Sequence, residues 1–194
     1  AILPDLMAVS PIGFEPPAPV IGDRITLIAT IRNTGEGTAP TFSYEFRDGP
    51  DLIGTATVTG LGPGEEASVS DVIWEPKTTG EHELVLTLDP ALEMSEVQRG
   101  NNKISRKFSF LPDLSIMTAE ASKTGIAPGG PFTVLVTVEN EGNAPLSGGF
   151  RVDARLGSKD GKEIGTVASS LLLEPGKGTT GTVELKLNSP NDKG

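Results

Sequence analysis

Asp89, Glu93, Glu96, Asn101 and Asn102 all fall within one 14-residue stretch of this chain. Carboxylate and carboxamide oxygens gathered on a loop are the donor set that calcium prefers. Calcium is therefore the one cofactor, and the one metal, that the residues suggest. Their spacing matches no EF-hand. The competing expectation is that Glu96 and Asn101 bond the backbone amides of their own loop, as polar side chains commonly do in turns. A looser acidic group, Glu45, Asp48 and Asp51, precedes them.

Other chemistries find less. His82 is the only histidine, and the run Glu81-His82-Glu83 places it as an exposed strand residue on the face opposite Leu84. A nucleophilic triad needs an oriented acid and an exposed serine elbow, and the chain contains no Gly-x-Ser-x-Gly segment. The stretch from Gly157 to Lys162 is one residue short of a phosphate-binding loop, and Glu163 follows where Ser or Thr should stand. Asp160-Gly161 reads better as a hairpin turn. Paired carboxylates could cleave glycosides, but one Trp, one Tyr and 7 Phe leave few rings to line a sugar groove. No catalytic residue is assigned, and a non-enzyme is expected. No Asn-x-Ser/Thr sequon supports N-glycosylation.

The elements around these residues must be short strands. The chain has 194 residues, of which 24 are Gly and 16 Pro, scattered between apolar runs. Such breakers punctuate short elements. Cysteine is absent, which excludes a disulfide framework and any thiolate site. The net charge of −10 argues against nucleic-acid and anionic-lipid partners. No apolar run is long enough to insert in a membrane as a helix. The chain opens on Ala1 without an initiator Met, which suggests a removed leader or an excerpt of a longer chain.

Period-2 alternation marks the strands. Ile25, Leu27, Ala29 and Ile31 share one face, as do Phe42, Tyr44 and Phe46. Leu84, Leu86 and Leu88 form a third such row, and Phe132, Val134, Val136 and Val138 a fourth. Val183, Leu185 and Leu187 form a fifth. Helical signals are weak: the run 91–97 is short and hemmed in by Pro90 and Gly100. Trp74 closes the apolar run Val72-Ile73-Trp74 and is expected in the core.

Landmarks recur in the same order, which signals an internal repeat. Leu3-Pro4-Asp5-Leu6 returns as Leu111-Pro112-Asp113-Leu114, and Asn33-Thr34-Gly35 as Asn140-Glu141-Gly142. Ile53-Gly54-Thr55 returns as Ile164-Gly165-Thr166, and Leu61-Gly62-Pro63-Gly64 as Leu173-Glu174-Pro175-Gly176. Glu75–Gly80 returns loosely as Ser189–Gly194. The chain reads as all-β: two tandem immunoglobulin-like antiparallel sandwiches, 1–110 complete and 111–194 lacking its last two strands. A longer chain that continues past Gly194, a trimmed chain and completion by a neighbour's strands are the three explanations.

Pro4-Asp5-Leu6, Pro19, Gly22-Asp23, the Asn33-Thr34-Gly35 strand end, Leu61-Gly62-Pro63-Gly64 and Trp74-Glu75-Pro76 form an ordered pattern. Gly80, Asp89-Pro90 and the closing Glu96…Gly100-Asn101-Asn102 complete it. That pattern resembles CARDB domains, the cell adhesion related domain of bacteria and archaea. The resemblance spans about 1–110. Residues 111–194 match only in part, because the Trp, the Asp-Pro and the Glu…Asn-Asn segment are missing; Leu187 stands near the place of the Trp. The resemblance implies a seven-stranded immunoglobulin-like sandwich from a large, repetitive protein, located extracellularly or at the cell surface. The expected function is a non-catalytic structural or adhesion module. Its expected partners are other protein domains or neighbouring subunits, met through sheet edges, and cell-surface polysaccharide. One alternative is a repeating subunit of an extracellular filament or sheath, completed by strand exchange. Another is a carbohydrate-binding ancillary module of a secreted hydrolase.

Overall fold

The computed structural model describes residues 2–9, 11–176 and 178–191. Asp192-Lys193-Gly194, which close the last repeat landmark, lie outside the described residues. No described residue is helical, and the run 91–97 is irregular. The chain divides into two compact units, Ala1–Phe110 and Leu111–Gly194.

Unit 1 is an antiparallel sandwich. One sheet holds β1 (Leu6–Ala8), β2 (Gly13–Glu15), β3 (Ile25–Asn33) and β6 (Glu66–Trp74). The other runs in the order β5 (Asp51–Leu61), β4 (Ala39–Asp48), β7 (Gly80–Leu88), β8 (Lys103–Phe110). β6 pairs along nearly the whole of β3. β1 and β2 therefore share the other edge of β3, pairing with 31–33 and 26–28. They are one first strand broken in two around Pro11, which lacks an N–H for the ladder. The core forms where the alternating rows meet. Leu6, Ile25, Leu27 and Ile31 from one sheet pack beneath Tyr44, Phe46, Leu84, Leu86 and Leu88 from the other, all fully buried. Trp74 is buried against Phe14, His82 and Phe110.

His82 corrects one expectation. It is buried, not exposed. In a strand, residues two apart share a face, so His82 lies on the same inward face as Leu84.

Unit 2 is built the same way from fewer strands. One sheet has the order β13 (Thr180–Asn188), β10 (Pro131–Asn140), β9 (Leu114–Ala121). The facing hairpin pairs β11 (Phe150–Arg155) with β12 (Glu163–Ser169). Its loop is closed by Gly161 N–H donating to the Ser158 carbonyl and Leu156 N–H to the Lys162 carbonyl. Asp160-Gly161 is thus part of a hairpin connection, with no helix to hold a phosphate. Val136, Val138, Val152, Leu173, Val183, Leu185 and Leu187 make the core. Phe132 opposes Leu187 where Ile25 opposes Trp74 in unit 1. The ring has moved to the other strand of the pair.

One corner recurs in both units. The buried Asn33 carboxamide accepts from the N–H of Asp5 (3.0 Å) and of Gly35 (3.1 Å). It donates to the carbonyls of Gly37 (2.7 Å) and Leu61 (2.9 Å). Buried Asn140 accepts from Asp113 (3.0 Å) and Gly142 (3.1 Å) and donates to Ala144 (2.8 Å) and Leu173 (3.0 Å). Both N–H and both lone-pair positions of each amide are used. The glycine is required by contact: a Cβ on Gly35 would lie 2.5 Å from Asp5 N, and one on Gly142 would lie 2.3 Å from Leu111 O. Asn-x-Gly at the end of β3 and β10 is therefore a strand clamp.

Candidate functional site

The loop from Asp89 to Asn102 joins β7 to β8 and closes one end of unit 1. Asp89 opens it in a left-handed conformation, with φ of 44°. Asp is among the few non-glycine residues that tolerate this region, because its side chain can bond the local backbone. Here it does: Asp89 Oδ1 accepts from Glu93 N–H (3.0 Å) and Oδ2 from Met94 N–H (3.2 Å). The Arg99 guanidinium donates to the same Oδ2 at 3.1 Å and also bonds the Met94 carbonyl.

Glu96 points inward. Its Oε2 accepts from Leu6 N–H on β1 (3.3 Å) and its Oε1 from Asn102 Nδ2 (3.0 Å). Arg99 lies 3.8 Å from Oε1. Burial pushes the Glu96 carboxyl above its ordinary value, with Asp89 adding to the push; the two hydrogen bonds and Arg99 pull the other way. Asn101 reaches Asp5, donating from Nδ2 to Oδ1 at 3.0 Å. The Asn102 carbonyl accepts from Leu88 N–H at 2.9 Å, and Val97 N–H donates to the Pro4 carbonyl at 3.0 Å. The loop thus ties the first strand, β7 and β8 into one knot.

The five residues use their oxygens differently. Glu93 is exposed and joins the knot only through its N–H. Asp89 and Glu96 spend their oxygens on N–H donors and on Arg99. Asn101 and Asn102 offer buried Oδ1 atoms without a protein partner, but two amide oxygens fall well short of the ~6–8 oxygens that calcium takes. No group of three or more His, Cys, Asp or Glu among the described residues is placed to hold a metal. Of the residues expected to bind calcium, Asp89, Glu93, Glu96, Asn101 and Asn102, two lie beside a guanidinium: Arg99 supplies positive charge next to Asp89 and Glu96.

The looser acidic group also splits. Glu45 pairs with Arg47 at 2.8 Å, while Asp48 turns inward to His82 at 2.6 Å. Asp51 opposes Asp48 across the β4–β5 hairpin.

Two partners of the knot were not singled out from sequence. Arg99 carries the counter-charge, and Asp5 anchors Asn101. Arg99 sat among charged loop residues with no periodicity to place it. Asp5 was visible as a repeat landmark, since Asp113 stands in the same place in unit 2. Only the hydrogen bond from Asn101 shows that it faces a loop 96 residues away.

A family model described as CARDB matches residues 3–106. No curated protein matches the chain significantly. Among solved structures, a CARDB domain from Pyrococcus furiosus, crystallised in complex with di-metal ions, is similar at 22% identity. It covers 56% of this chain and 94% of its own length, with a TM-score of 0.48. A solution structure from Methanosarcina acetivorans, of a domain from a protein assigned to the cell surface, is similar at 26% identity. It covers 57% of this chain and 94% of its own length, again with a TM-score of 0.48. The family match takes in the first-strand anchor at Asp5, the Asn33 clamp, Trp74 and the Glu96…Asn102 knot, and it extends over more than half of the sequence: the chain belongs to the CARDB family.

Proposed function

We propose that the chain is a non-catalytic structural module of an extracellular or cell-surface protein, with unit 2 a second module of the same kind. CARDB is an adhesion-related family associated with the cell surface. The observation that carries the reading is the use made of the polar loop. Asp89, Glu96 and the Nδ2 groups of Asn101 and Asn102 are spent within the loop and on the first strand, which fastens β1, β7 and β8 together. A segment built this way holds a fold shut and leaves little to present to a substrate. Contacts with other domains or subunits then fall to the sheet edges and their outward rows. Lys103, Arg106 and Lys107 on β8 are the kind of charged residues that discourage indiscriminate pairing at an edge.

Single-molecule pulling on the whole chain tests this reading. A load-bearing module should extend in one step with the contour length of unit 1, because the knot joins the first strand to the last two. Arg99→Ala should lower the force of that step. Gradual peeling of residues 89–110 ahead of the rest, at low force and unaffected by Arg99→Ala, would overturn it.

A further inference from the structure

His82 touches one oxygen more than a neutral ring can satisfy. Its Nδ1 lies 2.6 Å from Asp48 Oδ2, and its Nε2 lies 2.8 Å from the Thr78 carbonyl. A carbonyl oxygen and an ionised carboxylate only accept, whereas a neutral imidazole has one N–H and one bare nitrogen. Such a ring could donate to one of these oxygens and would aim a lone pair at the other. Both separations are of hydrogen-bond length, so the buried pair must hold one further proton. Imidazole is the more basic of the two partners, and the proton sits there.

We infer that His82 is an imidazolium in the folded chain, and that its Nε2–H is a proton-operated latch on the connection between β6 and β7. Thr78 belongs to that connection, residues 75–79, which carries the chain from one sheet of unit 1 to the other. When the ring gives a proton to water, one N–H remains. A carboxylate is the stronger acceptor, so the remaining proton stays on Nδ1, facing Asp48. Nε2 then turns a lone pair on the Thr78 carbonyl, and that contact opens. Acid closes the latch and base releases it.

The surroundings make the response specific to this pair. Asp48, on β4, is the charged group in contact with the ring. Asp51 stands opposite Asp48 across the hairpin. From β6, Trp74 packs on the ring at 5.2 Å between centroids, and from β8, Phe110 packs at 5.6 Å. The direct partner of His82 on β8 is Phe108, and Arg106 beyond it lies over the Phe14 and Phe108 rings. Glu81 and Glu83, its neighbours on β7, are exposed on the opposite face, where Glu81 pairs with Lys107. In the connection, Lys77 and Glu75 are exposed, and Glu75 pairs with Arg24.

Because the chain has one histidine, ring nitrogen-15 spectra of the full chain read this residue alone. They are followed from about pH 5, where a free histidine is charged, into the alkaline range. Two protonated ring nitrogens are expected at neutral pH, with Nε2 alone becoming bare as pH rises. The second readout is the Gly22 amide, which donates to the Pro76 carbonyl in the same connection. Its exchange protection factor should fall several-fold as Nε2 loses its proton. Asp48→Asn supplies the control. The new carboxamide can donate to a bare Nδ1, which leaves a neutral ring with its N–H on Thr78. In that variant Nδ1 should be bare at neutral pH, and Gly22 protection should no longer depend on pH; unchanged protection along β3 shows that it is folded. A bare ring nitrogen in the wild type at neutral pH overturns the inference. So does Gly22 protection that ignores the titration of Nε2, or a folded Asp48→Asn chain that keeps the wild-type response. The wild-type spectra decide the matter even if the variant does not fold.

Discussion

Asp48 and His82 join two neighbouring strands at the rim of the unit 1 core. The imidazole Nδ1 lies 2.6 Å from Asp48 Oδ2, and Nε2 lies 2.8 Å from the Thr78 carbonyl. Trp74 and Phe110 pack edge-on or tilted against the ring and against each other. A buried polar group is costly only when it lacks a partner, and here each ring nitrogen faces one.

That arrangement predicts strong coupling. His82→Leu or Asp48→Leu alone should each cost about 1–3 kcal/mol, the penalty of stranding a partner. The double change should recover most of the loss, because two apolar groups can replace a buried polar pair. Urea unfolding of the four-member cycle measures this. Additive losses would show that the residues act independently.

The clamp asparagines give a second prediction. Asn33→Ala leaves two N–H and two carbonyl groups without their partner, so unit 1 should lose about 3 kcal/mol or more. Asn140→Ala should do the same to unit 2. Amide exchange resolved by residue should show loss of protection in the unit carrying the change.

Calcium provides a third. Melting of the wild type should be indifferent to millimolar calcium or to chelator, because Arg99 already neutralises Asp89 and Glu96. Arg99→Ala should destabilise unit 1 by about 3 kcal/mol, since removing one partner leaves buried charge uncompensated. It should also make melting respond to calcium. A calcium-dependent shift in the wild type would refute the assignment of Arg99 as the resident counter-ion.

Tyr44 gives the fourth, at alkaline pH. Burial, then the hydrogen bond to and charge of Asp71, push its phenol up to about 12 from 10.0. The folded state thus holds its proton beyond the pH at which the unfolded chain releases it. The stabilisation is complete below about pH 10 and is lost as pH rises from there toward about 12. Tyr44→Phe should flatten that limb of the stability–pH curve, as read by chemical denaturation between those limits.

The strands were legible because their sequence carries the period of the structure. Alternation at Ile25–Ile31, Phe42–Phe46, Leu84–Leu88 and Val183–Leu187 marks faces that are buried in the fold. His82 was misplaced because its polar type outweighed its parity with Leu84; position two residues along the strand was the better guide. The five residues were legible as one loop, but the partners of their side chains were not. Oxygen atoms close in sequence say nothing of where each one points, and the deciding cation, Arg99, belongs to no pattern. The Asn-x-Gly corner was seen twice as a landmark, but its job depends on a strand that begins nearly thirty residues earlier.

Gly35 and Gly142 have a consequence for how the chain tolerates change. Each admits no side chain, and each follows its asparagine by two places. A saturation scan scored only for soluble expression should thus show two narrow troughs of intolerance, at 33–35 and 140–142, in register with each other. The repeat would then be recoverable from survival data alone, at positions where loops ordinarily drift.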